Sequence, residues 1–270
     1  MTKRLGYLCL LMWLIVPQAS AATLSNVSYS SVTGLPVTPA TTVFSYGDDP
    51  LQVIRYWAPA AAEQTGSVVF IHGGCWLSAY DIAHSEGFLS ALAQRGFAVY
   101  GIEYRRTGNE GGGWPGSLND IKTALQVLTG QHLVSSSPSF LLGHSAGGHL
   151  ALLAAREFDA EFTRVIGLAA ITDINAYARG SNSCQTATPR FMGGEPDERQ
   201  HAYQQANPRQ YTMPDQVLLM QGSSDGIVPV SQSQWPGVER ELVEDAGHFD
   251  WLHPSSQAFA RLMNHLLRKE

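Results

Sequence analysis

The stretch Ser139-Phe140-Leu141-Leu142-Gly143-His144-Ser145-Ala146-Gly147-Gly148-His149-Leu150-Ala151 decides the fold. It opens with an apolar run of strand length, 139–142, and continues into an Ala- and Leu-rich segment, 145–156, of helical character. Between them, Gly143-His144-Ser145-Ala146-Gly147 fits the pattern G-x-S-x-G. A serine at a tight strand-to-helix turn sits at unfavourable backbone angles, so its neighbours must be small enough to pass close by. The following helix points its first N–H groups at the serine, where negative charge would develop in a reaction. As a bare pattern the motif can be a glycine-rich turn that packs helix on sheet. With a strand before and a helix after, Ser145 becomes the candidate nucleophile.

Outward from this turn the chain alternates. Ser67 to Ile71 reads as a buried strand, Ala83 to Arg95 as a helix ending at Gly96, Phe97 to Tyr104 as a strand and Leu118 to Leu128 as a helix. Downstream, Val165 to Ala170, Val217 to Gln221 and Glu239 to Val243 are strand-like, and Pro254 to Leu267 is helical. Two further strands, Thr42 to Tyr46 and Leu51 to Trp57, flank the turn-rich Gly47-Asp48-Asp49-Pro50. Strands apolar on both faces, alternating with helices, predict an α/β fold with a parallel sheet covered on both sides. Residues 171–215 break the rhythm with glycines, prolines and many polar residues, and are expected to form a small cap-like insertion over a site. The main domain is expected over 42–270.

Three further groups would have to meet Ser145. Directly after the strand at 67–71 comes His72-Gly73-Gly74-Cys75-Trp76. Glycines there let the main chain approach a substrate without a Cβ in the way, so Gly73, Gly74 and Ala146 are candidate N–H donors to an oxyanion. A base must then take the serine proton, and an acid must orient the base. His248, in Ala246-Gly247-His248-Phe249, lies in a loop between a strand and the last helix; His253 is its rival. Asp225 follows the strand 217–221, where sites on parallel sheets form, with Asp173 as competitor. Asp245 and Asp250 read as solvated loop charges. Cys75, Trp76 and His144 are candidate pocket-lining residues, and Trp114 and Trp251 are further aromatic candidates. Glu103 to Arg106 reads as an ion-paired strand end.

Composition narrows the class. A 44% hydrophobic content over 270 residues is enough to fill one globular core, and the formal charge of −6, without a basic run, sets nucleic-acid binding aside. Residues 1–21 have the three parts of a secretory signal peptide: Lys3 and Arg4, an apolar run from Leu5 to Val16, and Ala19-Ser20-Ala21. The apolar run is short for a bilayer span, so the expected destination is secreted or periplasmic, with no stable membrane span after cleavage. Residues 22–41 read as a mobile leader. After export Cys75 and Cys184 could pair, or both could stay as thiols. No H-E-x-x-H or comparable spacing calls for a metal, and no cofactor is expected.

Taken together, His72 to Trp76, Glu103-Tyr104-Arg105-Arg106, Gly143 to Ala151, Asp225-Gly226-Ile227-Val228-Pro229 and Gly247-His248-Phe249 occur in an order that resembles the esterase/lipase branch of the α/β-hydrolases. The likeness is close to kynurenine-formamidase-like and carboxylic ester hydrolases and spans about Val43 to Leu267. It implies an eight-stranded, mostly parallel sheet and hydrolysis of a small-molecule ester through an acyl-enzyme. It assigns Ser145, Asp225 and His248 to a triad, and Gly73, Gly74 and Ala146 to an oxyanion hole. Phe191 to Gly194 and Ala206-Asn207-Pro208 resemble the segment over the pocket in such enzymes. An amidase or formamidase on the same triad, and a non-catalytic binding module keeping the fold, are the competing expectations. The sequence departs from the pattern between Pro229 and Val238, where barely one turn of helix fits.

Overall fold

The computed structural model describes residues 24–61, 63–134 and 138–268, so the signal-peptide expectation over 1–21 lies outside the described residues. Eight strands form one sheet: β1 (Thr42–Ser45), β2 (Val53–Trp57), β3 (Gly66–Ile71), β4 (Phe97–Ile102), β5 (Ser139–His144), β6 (Arg164–Leu168), β7 (Val217–Gly222) and β8 (Glu239–Val243). Their spatial order is β1-β2-β4-β3-β5-β6-β7-β8. The pairs β1–β2 and β2–β4 are antiparallel, and all the others are parallel. This is the α/β-hydrolase sheet. The central strands β3, β4, β5 and β7 are buried at every position, whereas the edge strands β1 and β8 keep exposed residues.

Burial on both faces follows from the period of two. Val69, Ile71, Leu141, Val165 and Leu219 enter one core, while Val68, Phe70, Phe140, Leu142, Ile166 and Met220 enter the other. The first core is closed by α3 (Gly116–Gly130) and α4 (Ala146–Phe158), through Leu118, Ile121, Leu125, Leu150 and Leu153. The second is closed by α2 (Glu86–Gln94) and α8 (Gln257–Leu267), through Phe88, Leu89, Phe259, Leu262 and Leu266. In α8 the residues Phe259, Leu262, Met263 and Leu266 recur at the three-to-four spacing of a single buried stripe, and Ser256 caps its start by accepting from Phe259 N. Among the described residues no helix is long and apolar enough to cross a membrane.

Between β6 and β7 the chain folds into three helices, α5 (Ile174–Tyr177), α6 (Ser183–Met192) and α7 (Gln200–Ala206). Asn182 and Gln185 form a reciprocal capping box at the start of α6, and Gly193 ends it in the left-handed conformation at φ +74°. Three contacts seat this segment over the sheet edge. Phe191 stacks on Trp76 with ring centroids 4.7 Å apart, the buried His149 ring donates from Nε2 to Ala206 O at 2.7 Å, and Cys75 is disulfide-bonded to Cys184. The disulfide settles a pairing that the sequence leaves open. It closes a loop of 109 residues, so α6 is covalently tied to the turn after β3.

Residues 24–41, expected as a mobile leader, are packed. The helix α1 (Tyr29–Thr33) is short, but Val27 and Val32 are buried in the second core. Thr38 O accepts from Trp57 Nε1 at 2.7 Å, and Val27 N donates to Asp250 Oδ2 at 2.7 Å. Asp250 is therefore not the solvated charge expected from the sequence. It is 1% exposed, and the same Oδ2 also accepts from Gly247 N at 3.0 Å. Burial pushes its carboxyl up, against the hydrogen bonds from Val27, Gly247 and Asn26 that favour the ionised form. Val27 and Val32 are spaced too sparsely to show a period and so give no sequence signal, yet both are packed into the second core.

Two outcomes are expected. Replacing Cys75 and Cys184 together by Ala should cost about 2–4 kcal/mol in denaturant unfolding, because a long unfolded loop regains its freedom; an unchanged midpoint would mean that the tether does not stabilise the fold. Asp250→Ala should cost about 2–4 kcal/mol by leaving two buried N–H groups unpartnered, while Asp250→Asn, which still offers an acceptor, should cost clearly less. Equal losses in the two variants would refute that account of Asp250.

Candidate active site

Parallel strands place the loops at their carboxyl ends along one edge of a sheet. The turn 72–76 follows β3, Ser145 follows β5, Asp225 follows β7 and His248 follows β8. Segments separated by as many as 175 residues thus meet at one edge, from Gly73 to His248.

Ser145 has φ +56°, in the left-handed region that non-glycine residues rarely occupy. The conformation is held from both sides: Ser145 N donates to Leu168 O at 2.9 Å, and Ser145 O accepts from His149 N at 3.1 Å. The glycine two residues on is required by closeness. A Cβ at Gly147 would overlap the carbonyl oxygens of Ile71 and His72. Helix α4 therefore lies directly against the end of β3, and its first N–H groups, Ala146 among them, have no acceptor within the helix.

His248 is 6% exposed, and its Nδ1 lies 2.8 Å from Asp225 Oδ2. A carboxylate only accepts, so Nδ1 carries the proton and Nε2 is left as the basic nitrogen. Asp225 is fixed by more than this contact. Its Oδ1 accepts from the N–H groups of Ile227 and Val228, each at 2.8 Å, and its Oδ2 accepts from Gln221 Nε2 at 3.1 Å. Burial pushes the carboxyl up, but the adjacent His248 ring and the two backbone donors outweigh it and hold the group below the usual carboxylate range. The rivals go elsewhere. Asp173 caps α5 by accepting from Ala176 N and also takes Asn207 Nδ2, both at 3.1 Å, and His253 Nδ1 accepts from Ser255 N at 3.2 Å.

The turn after β3 has three successive left-handed residues, Gly74 at φ +107°, Cys75 at +52° and Trp76 at +56°. The run closes a tight turn in which Leu77 N donates to Gly74 O at 2.9 Å. Beneath it lies a buried polar cluster. Arg106 pairs with Glu103, whose Oε2 also accepts from Ile82 N at 3.0 Å, and Tyr104 OH donates to His72 O at 3.0 Å. His72 is neutral: burial, then the Arg106 charge, lower its pKa to about 3. Its Nδ1 donates to Gly73 O at 2.8 Å, so Nε2 can accept from Arg106, 3.3 Å away. The equal distance from that nitrogen to Glu103 Oε1 is then a contact between two acceptors, not an ion pair. The ion-paired strand end at 103–106 is thus the floor of the Gly73–Gly74 turn.

Ser145 and His248 line one cavity of about 260 Å³, together with Gly74, Cys75 and His144. Trp76 and Trp251, candidates for lining, are instead fully buried in the two cores, and Trp114 lines a separate outer groove. An indole fills a large core volume, which decides its place here before any ligand does. Sequence reasoning misses Tyr29, Tyr80, His84, Ile227 and Phe249, all of which line the cavity. Tyr29 comes from the N-terminal segment and packs against Phe249 with ring centroids 5.4 Å apart. Ile227 and Phe249 stand one or two residues from Asp225 and His248, and that adjacency was the one usable signal. Nothing in the sequence marks Tyr29.

The BD-FAE family model matches residues 55–235. Esterase LipC of Mycobacterium tuberculosis is 25% identical over 261 residues, covering 83% of this chain and 64% of its own length, so the chain spans under two thirds of that relative. Among solved structures, esterase B from Lactobacillus rhamnosis superimposes with a TM-score of 0.70 over 88% of each chain at 19% identity. A truncated carbohydrate esterase from gut microbiota gives a TM-score of 0.68 over 86% of this chain and 98% of the other, also at 19% identity. The structural likenesses speak to the sheet and its strand order, while the sequence match runs from β2 through the serine turn and Asp225. On that match, the chain belongs to the BD-FAE family.

Proposed function

We propose that this chain is a carboxylic ester hydrolase acting through an acyl-enzyme on Ser145. One observation carries the reading: a serine at a left-handed strand-to-helix turn shares a cavity with a histidine whose far nitrogen is bound to a buried aspartate 2.8 Å away. In this scheme His248 Nε2 takes the proton of Ser145 Oγ, and the oxygen attacks the ester carbonyl carbon. The C=O electrons move onto oxygen, where N–H groups of Gly73, Gly74 and Ala146 receive them. The tetrahedral centre collapses, the C–O bond to the alcohol breaks, and His248 gives its proton to the leaving oxygen. Water, deprotonated by the same nitrogen, then releases the acid and frees Ser145. Asp225 keeps Nδ1 protonated and stabilises the imidazolium that forms.

The cavity volume of about 260 Å³ lies just below the roughly 300–1,000 Å³ typical of ligand pockets, which supports a small or medium acyl ester. The names of the relatives, two esterases and a carbohydrate esterase, support the same bond type. Export to a secreted or periplasmic destination is supported by the Cys75–Cys184 disulfide, since such bonds persist in oxidising compartments.

Wild-type protein should release p-nitrophenol from short-chain esters, and Ser145→Ala should lose at least about 10⁴-fold in kcat with its circular dichroism unchanged. Turnover that survives in the folded variant would move the nucleophile to another residue. Asp225→Asn should cost about 10³–10⁴-fold in kcat by allowing the wrong tautomer of His248. It should also flatten the acid limb of stability. The folded state holds the Asp225 carboxyl low, so its contribution is present above the unfolded pKa and is lost as pH falls through the depressed one. Melting temperatures from about pH 7 down to about pH 3 should therefore converge for wild type and variant; curves that stay parallel would contradict this sign.

A further inference from the structure

Ser145 follows β5 and His248 follows β8, and two strands separate them in the sheet. Their loops therefore need a direct connection if the hydroxyl and the imidazole are to stay in register. We infer that His144 is a positioning residue, whose ring holds the main chain of His248 against the nucleophile turn. The inference rests on the assignment of Ser145 and His248 above, and goes beyond it by giving a task to the variable position of G-x-S-x-G.

His144 Nε2 lies 2.9 Å from the carbonyl oxygen of His248, a contact across 104 residues. A carbonyl can only accept, so Nε2 carries the proton and donates, and Nδ1 holds a bare lone pair. The two imidazole rings are 4.7 Å apart and inclined at 48°. On its other side the His144 ring meets the turn after β3: a Cβ at Gly73 would lie 3.1 Å from His144 Nδ1 and 2.9 Å from the carbonyl oxygen of His144. The buried Nδ1 has no hydrogen-bond partner. One side chain thus spans three parts of the site, being bonded to the nucleophile through the backbone, wedged against Gly73 and hydrogen-bonded to the base's own peptide.

The tautomer this requires is stable. The ring is 1% exposed, and burial, followed by the neighbouring His248, holds it well below the ordinary histidine pKa. His84 adds to the depression, while Asp225 and the bond to His248 O oppose it. A neutral donor therefore faces the base loop throughout turnover, and the imidazolium formed on His248 meets no second charge at its back. His144 makes no bond in the reaction scheme; it acts through the placement of His248. Displacing a catalytic group by about 1 Å can cost about 10²-fold in rate, so loss of this tether should be read in kcat.

Two substitutions separate the hydrogen bond from simple bulk. His144→Gln keeps an N–H at about the reach of Nε2, while His144→Met keeps the volume without a donor. With p-nitrophenyl acetate, His144→Met is expected to lower kcat by about 10–100-fold with KM within about twofold, and His144→Gln to recover about tenfold of that loss. Equal losses in the two variants, or a change confined to KM, would overturn the inference. Since a core substitution can unfold the chain, the wild type supplies a second measurement. Nitrogen-15 spectra of histidine-labelled protein, with residue 144 assigned through its backbone, should show a neutral Nε2–H ring from about pH 5 to about pH 9. A ring protonated on Nδ1 in that range would overturn it as well. Full turnover in His144→Met beside an inactive Ser145→Ala would sink this inference alone; turnover in Ser145→Ala would sink the nucleophile assignment.

Discussion

The approach of α4 to the end of β3 sets the terms for everything at this sheet edge. Residue 147 has no side chain, and any Cβ there would collide with the carbonyl oxygens of Ile71 and His72. That closeness brings the start of a helix, the serine before it and the Gly73–Gly74 turn within one small volume. The positive end of the α4 dipole then lies beside the serine, which itself packs against Gly73. A bulkier residue at 147 would push the helix away and separate the nucleophile from its electrostatic partners.

Around this contact the protein spends unusual conformations and buried polar groups, and each is compensated nearby. Ser145 is left-handed and is hydrogen-bonded at both its N–H and its C=O. Cys75 and Trp76 are left-handed too, and one is fixed by the disulfide while the other is stacked beneath Phe191. The Glu103–Arg106 pair is almost fully buried, and its cost is offset by bonds to Ile82 and by the neutral His72 ring. Irregular backbone and buried charge survive only where several neighbours over-determine them. Here those neighbours come from β3, β4, α6 and the turn before α2.

The cavity itself is a shared construction. Gly74, Cys75 and Ser145 come from turns beside central strands, Cys184 from the segment between β6 and β7, and Tyr29 from the N-terminal segment. The matched family region, 55–235, leaves out both Tyr29 and His248. The walls of the site thus draw on segments from both sides of the matched region. Asp250 joins these two ends, accepting from Val27 N and from Gly247 N next to His248.

The sheet was legible in the sequence because strands buried on both faces carry unbroken apolar runs, as β3 does over 68–71, β5 over 140–142 and β7 over 217–220. The serine turn was legible because small residues at 143, 147 and 148 can serve a close approach whatever lies around them. Asp225 and Asp173 both follow strands, and Asp225 was favoured because the strand that carries it comes next before His248, itself favoured by its loop position beside Gly247. Other features had no local signal. The docking of residues 24–41, the burial of Asp250 and the place of Tyr29 depend on grooves that exist only once the other elements are packed. The pairing of Cys75 with Cys184 needed the distance between their Cα atoms, 5.1 Å, which no spacing in the chain encodes. Composition and period act through neighbours along the chain, whereas these contacts arise only when the packed sheet brings distant segments to one edge.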